Sequence, residues 1–222
     1  KNNKLGKTFN IQDLIGPILH RYVQLGLTNS DLYKELRTKL QDKNWIEVTQ
    51  KTLDKVKNGE AIYRVIKEIS KSKNDQRVLE MFAEFDVAQR LINTEFFGKF
   101  DTLEYLSPSN IKRQPDFLAM NVDATTPVEV KLLTPNDLKE EKFFQKLIDK
   151  VRDHALKQLE SYYKENKFVT GIIFVWTHKP IDLHNIKYND LNNWFKKEIP
   201  KPDFKVTIVC ILSNTGLWDF YL

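Results

Sequence analysis

Hydrophobic positions along the chain change their period near residue 76. Before it they recur three and four apart, the spacing that collects side chains on one face of a helix. Ile11, Leu14, Ile15, Ile18, Leu19 and Tyr22 form one such stripe from Asn10 to about Leu25, interrupted by Gly16-Pro17. Thr28-Asn29-Ser30-Asp31 offers cap residues for a second helix reaching about Leu40. A loop containing Trp45 is expected next, then a short helix capped by Thr49 and ending at Asn58-Gly59. Ile62, Val65, Ile66 and Ile69 predict a further helix from Glu60 to Ser70. The polar run Lys71-Ser72-Lys73-Asn74-Asp75 then separates a helical region, 1–75, from the remainder, 76–222.

In the remainder, helical spacing alternates with short apolar runs. Arg77 to Asn93 reads as an amphipathic helix, and Phe100 to Leu106 as a strand ending at Ser107-Pro108. The stretch QPDFLAMNVDATTPVEVKLL, 114–133, reads as two strands joined by a turn. Thr134-Pro135-Asn136-Asp137 ends the second strand and caps a long helix reaching about Asn166. Phe168–Thr177 and Phe204–Leu212 are apolar enough for strands buried on both faces; Asn189–Ile199 reads as a helix between them. Leu217–Leu222 is a candidate edge strand. The order α-β-β-β-α-β-α-β predicts an α/β fold: a mixed central sheet flanked by helices, preceded by an all-helical N-terminal region.

Composition narrows this further. With 222 residues, 41% of them hydrophobic, the chain can build a sizeable core. No apolar run approaches the roughly 20 residues that span a bilayer, so no membrane partner is expected. The start, KNNKLGKTFN, lacks the apolar core of a signal peptide and also an initiator methionine, so a fragment or processed product is one reading. The lone cysteine, Cys210, sits in VTIVCIL and excludes a disulfide framework, which makes a reducing cytoplasm the default location. The net charge of +5 is uneven: 15 basic against 9 acidic residues up to position 75, and 20 against 21 after it. A basic first third suits a helix-turn-helix-like nucleic-acid-binding or dimerisation element; a lysine-rich helical cap is the bland alternative.

The candidate chemistry lies in 114–133. Asp116 opens the first of its strands, while Glu129 and Lys131 interrupt the second. Alternation puts Glu129 and Lys131 on one face and Val128, Val130 and Leu132 on the other. Charges seldom occupy so apolar a strand unless they are paired or bind a metal. Phosphodiester hydrolysis needs a divalent cation on hard oxygens, an activated water and positive charge near the phosphate. Asp116, Glu129 and the Val130 backbone carbonyl offer the oxygens, and Lys131 the charge. Glu84, at the edge of a helix whose core side carries Val87, Ala88 and Leu91, could add a carboxylate, with Glu80 as its rival. Gln158 and Tyr162 share one helix face, with His154 one turn earlier. A structural cross-strand Glu–Lys pair is the bland reading of the strand charges. His178, Asp182 and His184 have no defensible metal-site spacing, and His20 reads as a helix-surface residue. No glycine loop for phosphates and no serine nucleophile elbow is present, so no nucleotide cofactor is expected.

Pro115-Asp116 followed by Glu129-Val130-Lys131 resembles the signature of the PD-(D/E)XK nuclease superfamily, the restriction-endonuclease-like fold. Glu84 to Leu91 (E-x-x-V-A-x-x-L) is similar to the preceding helix of family members, Holliday-junction resolvases among them. Gln158 to Tyr162 matches the Q-x-x-x-Y element of the RecB-like branch. PD occurs twice and E-x-K three times in the chain, but only one combination falls on neighbouring apolar strands. The resemblance covers 76–222 and implies an α-β-β-β-α-β core. It further implies a magnesium- (or manganese-) dependent nuclease in which Asp116 and Glu129 hold the metal and Lys131 is catalytic. Glu84 would be the accessory carboxylate, with Gln158 and Tyr162 completing the site. A DNA endonuclease of restriction, defence or mobile-element type, a homodimer where both strands are cut at once, is the expectation. An RNA-cleaving endonuclease or toxin of the same fold, and a non-catalytic nucleic-acid-binding regulator, are the alternatives.

Overall fold

The computed structural model describes residues 10–58, 70, 75–93, 100–106, 114–134, 140–178, 187–213 and 216–222. The helix expected over Glu60–Ser70, most of the 71–75 boundary, the 135–137 cap, and Asp182 and His184 therefore lie outside the described residues.

Three helices open the chain: α1 Ile11–Gln24, α2 Asp31–Gln41 and α3 Lys43–Leu53. Each begins on a side chain that satisfies otherwise orphaned amides. Asn10 accepts from the Gln12 amide (2.9 Å), Ser30 from Tyr33 (3.2 Å), and Asp42 from both Asn44 and Trp45 (2.9 and 3.1 Å). Two expectations are corrected here. Trp45 lies inside α3 rather than in a loop, and Thr49 is a buried mid-helix residue rather than a cap, because Asp42 starts the helix seven residues earlier. The α1 stripe also runs through Gly16-Pro17 unbroken, with Pro17 inside the helix. A third correction follows α3. Val56–Lys57 is a short strand, β1, where the sequence suggested helix up to Asn58, which has φ +64°.

Helix α4, Asp75–Asn93, leads into the sheet. The strands are β2 Thr102–Tyr105, β3 Phe117–Met120, β4 Thr125–Leu133, β5 Thr170–Thr177, β6 Lys205–Ser213 and β7 Gly216–Tyr221. With β1 they form a seven-stranded mixed sheet whose spatial order follows the chain. The pairs β1–β2, β4–β5 and β5–β6 are parallel; β2–β3, β3–β4 and β6–β7 are antiparallel. Between β4 and β5 runs the expected long helix, in three parts. α5 (Glu140–Ile148) passes into a π-helical stretch, Asp149–Leu156, and then α6, Lys157–Glu165. Helix α7, Tyr188–Glu198, makes the β5–β6 crossover.

Helices cover both faces of the sheet. Val128, Ile172 and Phe174 pack with Ile11, Leu14, Ile18, Leu36, Val87 and Leu91 from α1, α2 and α4. On the opposite face, Ile173, Val175 and Ile208 pack with Val151, Leu159, Leu191 and Phe195. The alternation read in the β4 and β5 sequences is what divides these two cores. The N-terminal helices thus share a core with the sheet and close one side of it. At the start of β5, Gly171 leaves space that Leu159 of α6 fills. A β-carbon there would stand 3.0 Å from Leu159 Cδ1 and 3.3 Å from Phe168.

Candidate active site

The β3–β4 register pairs Phe117 with Val128, so one step further along it Asp116 falls opposite Glu129. Opposed residues of an antiparallel pair share a face. Asp116 Oδ2 accepts a 2.7 Å hydrogen bond from the Val130 amide, which fastens the carboxylate to β4. Glu129 lies in the middle of β4, with strands on both sides and no exposed surface. Lys131 Nζ donates to Glu129 Oε1 and, at 2.9 Å, to Gln158 Oε1 of α6. Gln158 in turn donates through Nε2 to the Gln114 carbonyl, 3.3 Å away. The amide side chain therefore bridges the strand that carries Asp116 and the amine that faces it.

Glu129 Oε2 has no hydrogen-bond partner. Among the described residues only it and Arg21 Nε are buried side-chain polar atoms in that condition. Such an atom costs about 1–3 kcal/mol when nothing else satisfies it. A protein retains such an atom most readily where a ligand completes it.

A cavity of about 230 Å³ opens beside this cluster. Glu80, Glu84 and Arg77 of α4, Asp116, Val130 and Lys131 of the strands, and Lys150 and His154 of the π-helical stretch line it. Glu80 is engaged by Arg77 Nη1 and by Gln76 Nε2, the latter at 3.2 Å. Glu84 is held by the Tyr105 side chain of β2 and lies close enough to Asp116 for the two charges to oppose each other. Both glutamates that competed in sequence reach the cavity, and the charges of both bear on the Asp116 cluster.

The acids repel one another in a poorly hydrated space, which shifts their titration. Burial, and then the Asp116 charge, push Glu84 up to about 8, against the opposing pull of Tyr105 and Arg77. Burial also raises Asp116, although Lys131 and the Val130 amide pull the other way. Glu129 is raised well above the ordinary carboxylate range by burial and by Asp116. Burial works to lower Lys131, but Glu129 and Asp116 outweigh it, and the group stays a firm ammonium.

Asp116, Glu129, Lys131, Glu84 and Gln158 are thus brought together, with Val130 beside them. Glu129 and Gln158 join the site through Lys131 rather than by lining the cavity, and Tyr162 neither lines it nor bonds to Lys131: its ring stacks on Phe168, 6.3 Å between centroids. Arg77, Lys150 and Tyr105 were not singled out from sequence, although the i, i+3, i+7 spacing of Arg77, Glu80 and Glu84 marks one helix face. Among the described residues no three His, Cys, Asp or Glu side chains converge as a ready cage for a metal. Magnesium does not require one, since it commonly binds through one or two carboxylates and otherwise through water and substrate oxygens. Asp116, the orphaned Glu129 Oε2 and the Val130 carbonyl are the hard oxygens that fit such an ion. Among the described residues no helix is long and apolar enough to cross a membrane. No family model, curated protein or solved structure matches the chain.

Proposed function

We propose that this protein is a divalent-metal-dependent nuclease that hydrolyses phosphodiester bonds of DNA, with the site built on Asp116, Glu129 and Lys131. The observation that carries the reading is Glu129: a fully buried carboxylate with one oxygen bound to Lys131 and the other unsatisfied. The element order α4, β2, β3, β4, α5–α6, β5 supports it, because it agrees with the order α-β-β-β-α-β that the sequence resemblance implies.

A bound magnesium ion would supply Lewis acidity at a phosphoryl oxygen and lower the pKa of a water. The protein's own groups provide the rest. Asp116, just ahead of β3, and Glu129 of β4 present acceptor oxygens, held by the Val130 amide and by Lys131. Lys131 carries its charge where the phosphate gains negative charge in the transition state, and Gln158 fixes its direction. Hydrolysis joins a water oxygen to phosphorus, breaks one ester P–O bond, and requires a proton to leave the attacking water. Glu84, pushed up to about 8 by burial and by Asp116, can take that proton in its ionised form, which prevails only above that pH.

Incubation with supercoiled plasmid and with an RNA transcript, with magnesium or with EDTA, tests the reading. Cutting is expected only with metal. Glu129→Gln, Asp116→Ala and Lys131→Ala are each expected to reduce it at least about a hundredfold. Undiminished cutting by Glu129→Gln, or wild-type protein that binds DNA and cuts neither polymer, would sink the proposal. Cutting confined to RNA would transfer the same site to the other backbone.

A further inference from the structure

Three fixed cations line the cavity: Arg77, Lys131 and Lys150. Two of them are already committed, Arg77 to Glu80 and Lys131 to Glu129. Lys150 differs. It is half-buried, and among the described residues its side chain has no carboxylate partner and no hydrogen bond.

Its placement has a structural cause. Lys150 and His154 belong to the π-helical stretch Asp149–Leu156, which packs against β4 and β5 and leads directly to Gln158. Such stretches are rare, and they occur often at functional sites. The wider turn holds positions 150, 154 and 158 closer to a single line than an α-helix does, since eight α-helical residues overshoot two turns. One row along the helix thus offers a free ammonium, an imidazole and the amide that holds Lys131. The first two line the cavity directly.

We propose that Lys150, with His154 beside it, is a binding site for a nucleic-acid backbone phosphate next to the one that is cut. The ligand class rests on the nuclease reading above. Lys150 is the lining cation left over after the internal pairs are made, and a phosphate oxygen supplies the missing anion as a point-charge contact. Lys150 is here a positioning residue, because it holds the strand rather than the reacting atoms.

Fluorescence polarisation of a labelled DNA duplex, titrated in EDTA at several salt concentrations, tests this without any cleavage. Lys150→Ala is expected to weaken binding about three- to tenfold and to lower the slope of log affinity against log salt by about 1. Lys150→Arg is expected to restore both. Lys150→Gln keeps most of the side-chain stem and guards against a packing defect in the alanine variant; it should lose as much as Lys150→Ala. Wild-type affinity and salt slope in Lys150→Gln would overturn the proposal and leave Lys150 as a side chain reaching past the cavity into water. A wild-type protein that binds this duplex through Lys150 yet cuts nothing with magnesium would overturn the nuclease reading alone.

Discussion

Glu129 concentrates the cost of this site in one side chain. It has no exposed surface, and only one of its two oxygens is satisfied. The neighbouring Glu84 gives that cost a measurable pH dependence. Its carboxyl titrates near pH 8 in the folded protein, against 4.5 for the ordinary group. Between those values the folded chain keeps a proton that the unfolded chain has released, so metal-free stability must fall as pH rises through the window. Thermal denaturation in EDTA is expected to show a lower Tm at pH 8.5 than at pH 5, with a flatter profile in Glu84→Gln; equal profiles would count against the shift. Asp116, Glu129 and Lys131 were legible in the sequence because strand alternation is strict and charges on an apolar strand stand out. Lys150 and Tyr105 were not, because their position depends on how a helix and a neighbouring strand lie across the sheet. Tyr162 illustrates the reverse case, since helix spacing placed it on a face with Gln158 but could not show that its ring turns to Phe168.

Among elements, α3 shows where local chemistry was present and passed over. Asp42 accepts from two backbone amides at its N-terminus. Removing a cap of this kind costs about 1 kcal/mol, so Asp42→Ala should lower unfolding stability by about that amount in a urea titration with an unchanged slope. Asp42 was available to sequence reasoning as a cap, but Thr49 stands at a similar distance from the apolar positions and drew the boundary too late. The π-helical stretch was not available at all. No residue preference distinguishes it from α-helix, and it arises where the long helix must seat Val151, Ala155 and Leu159 against the sheet together. The strands β2 to β7 were found close to their bounds because their apolar runs are short and sharply ended. β1 was missed: two residues carry no period, and only the neighbouring strand makes them a strand.

At the scale of the whole molecule, the N-terminal helices and the sheet depend on one another. Ile11, Leu14, Ile15 and Leu36 lie in the same core as Phe117, Val128 and Phe174. Each large apolar side chain so buried contributes about 1.5–3 kcal/mol, and a domain's net stability is only about 5–15 kcal/mol. A fragment of residues 76–222 would lose this cover and β1 together. It is expected to lack a cooperative thermal transition and a near-ultraviolet circular dichroism signal; a sharp melt from that fragment would show that the two regions stand alone. The described basic residues of the first third, from Arg21 to Lys57, are thereby carried on the same folded body as the acid cluster, and under the proposed function they would help draw a polyanion towards it.

Gly171 gives the protein a remote adjustment. The space it leaves is filled by Leu159, the residue next to the amide that holds the Lys131 ammonium. Gly171→Ala would set a methyl 3.0 Å from Leu159 Cδ1, so that enclosed side chain must give way by a few tenths of an ångström. The expected response is a small outward ride of the helix that lengthens the reach from Gln158 to Lys131. Under the proposed nuclease function, turnover should then drop several-fold while DNA affinity stays near wild type, so an alteration remote from the acid cluster would still be felt as a loss of chemistry.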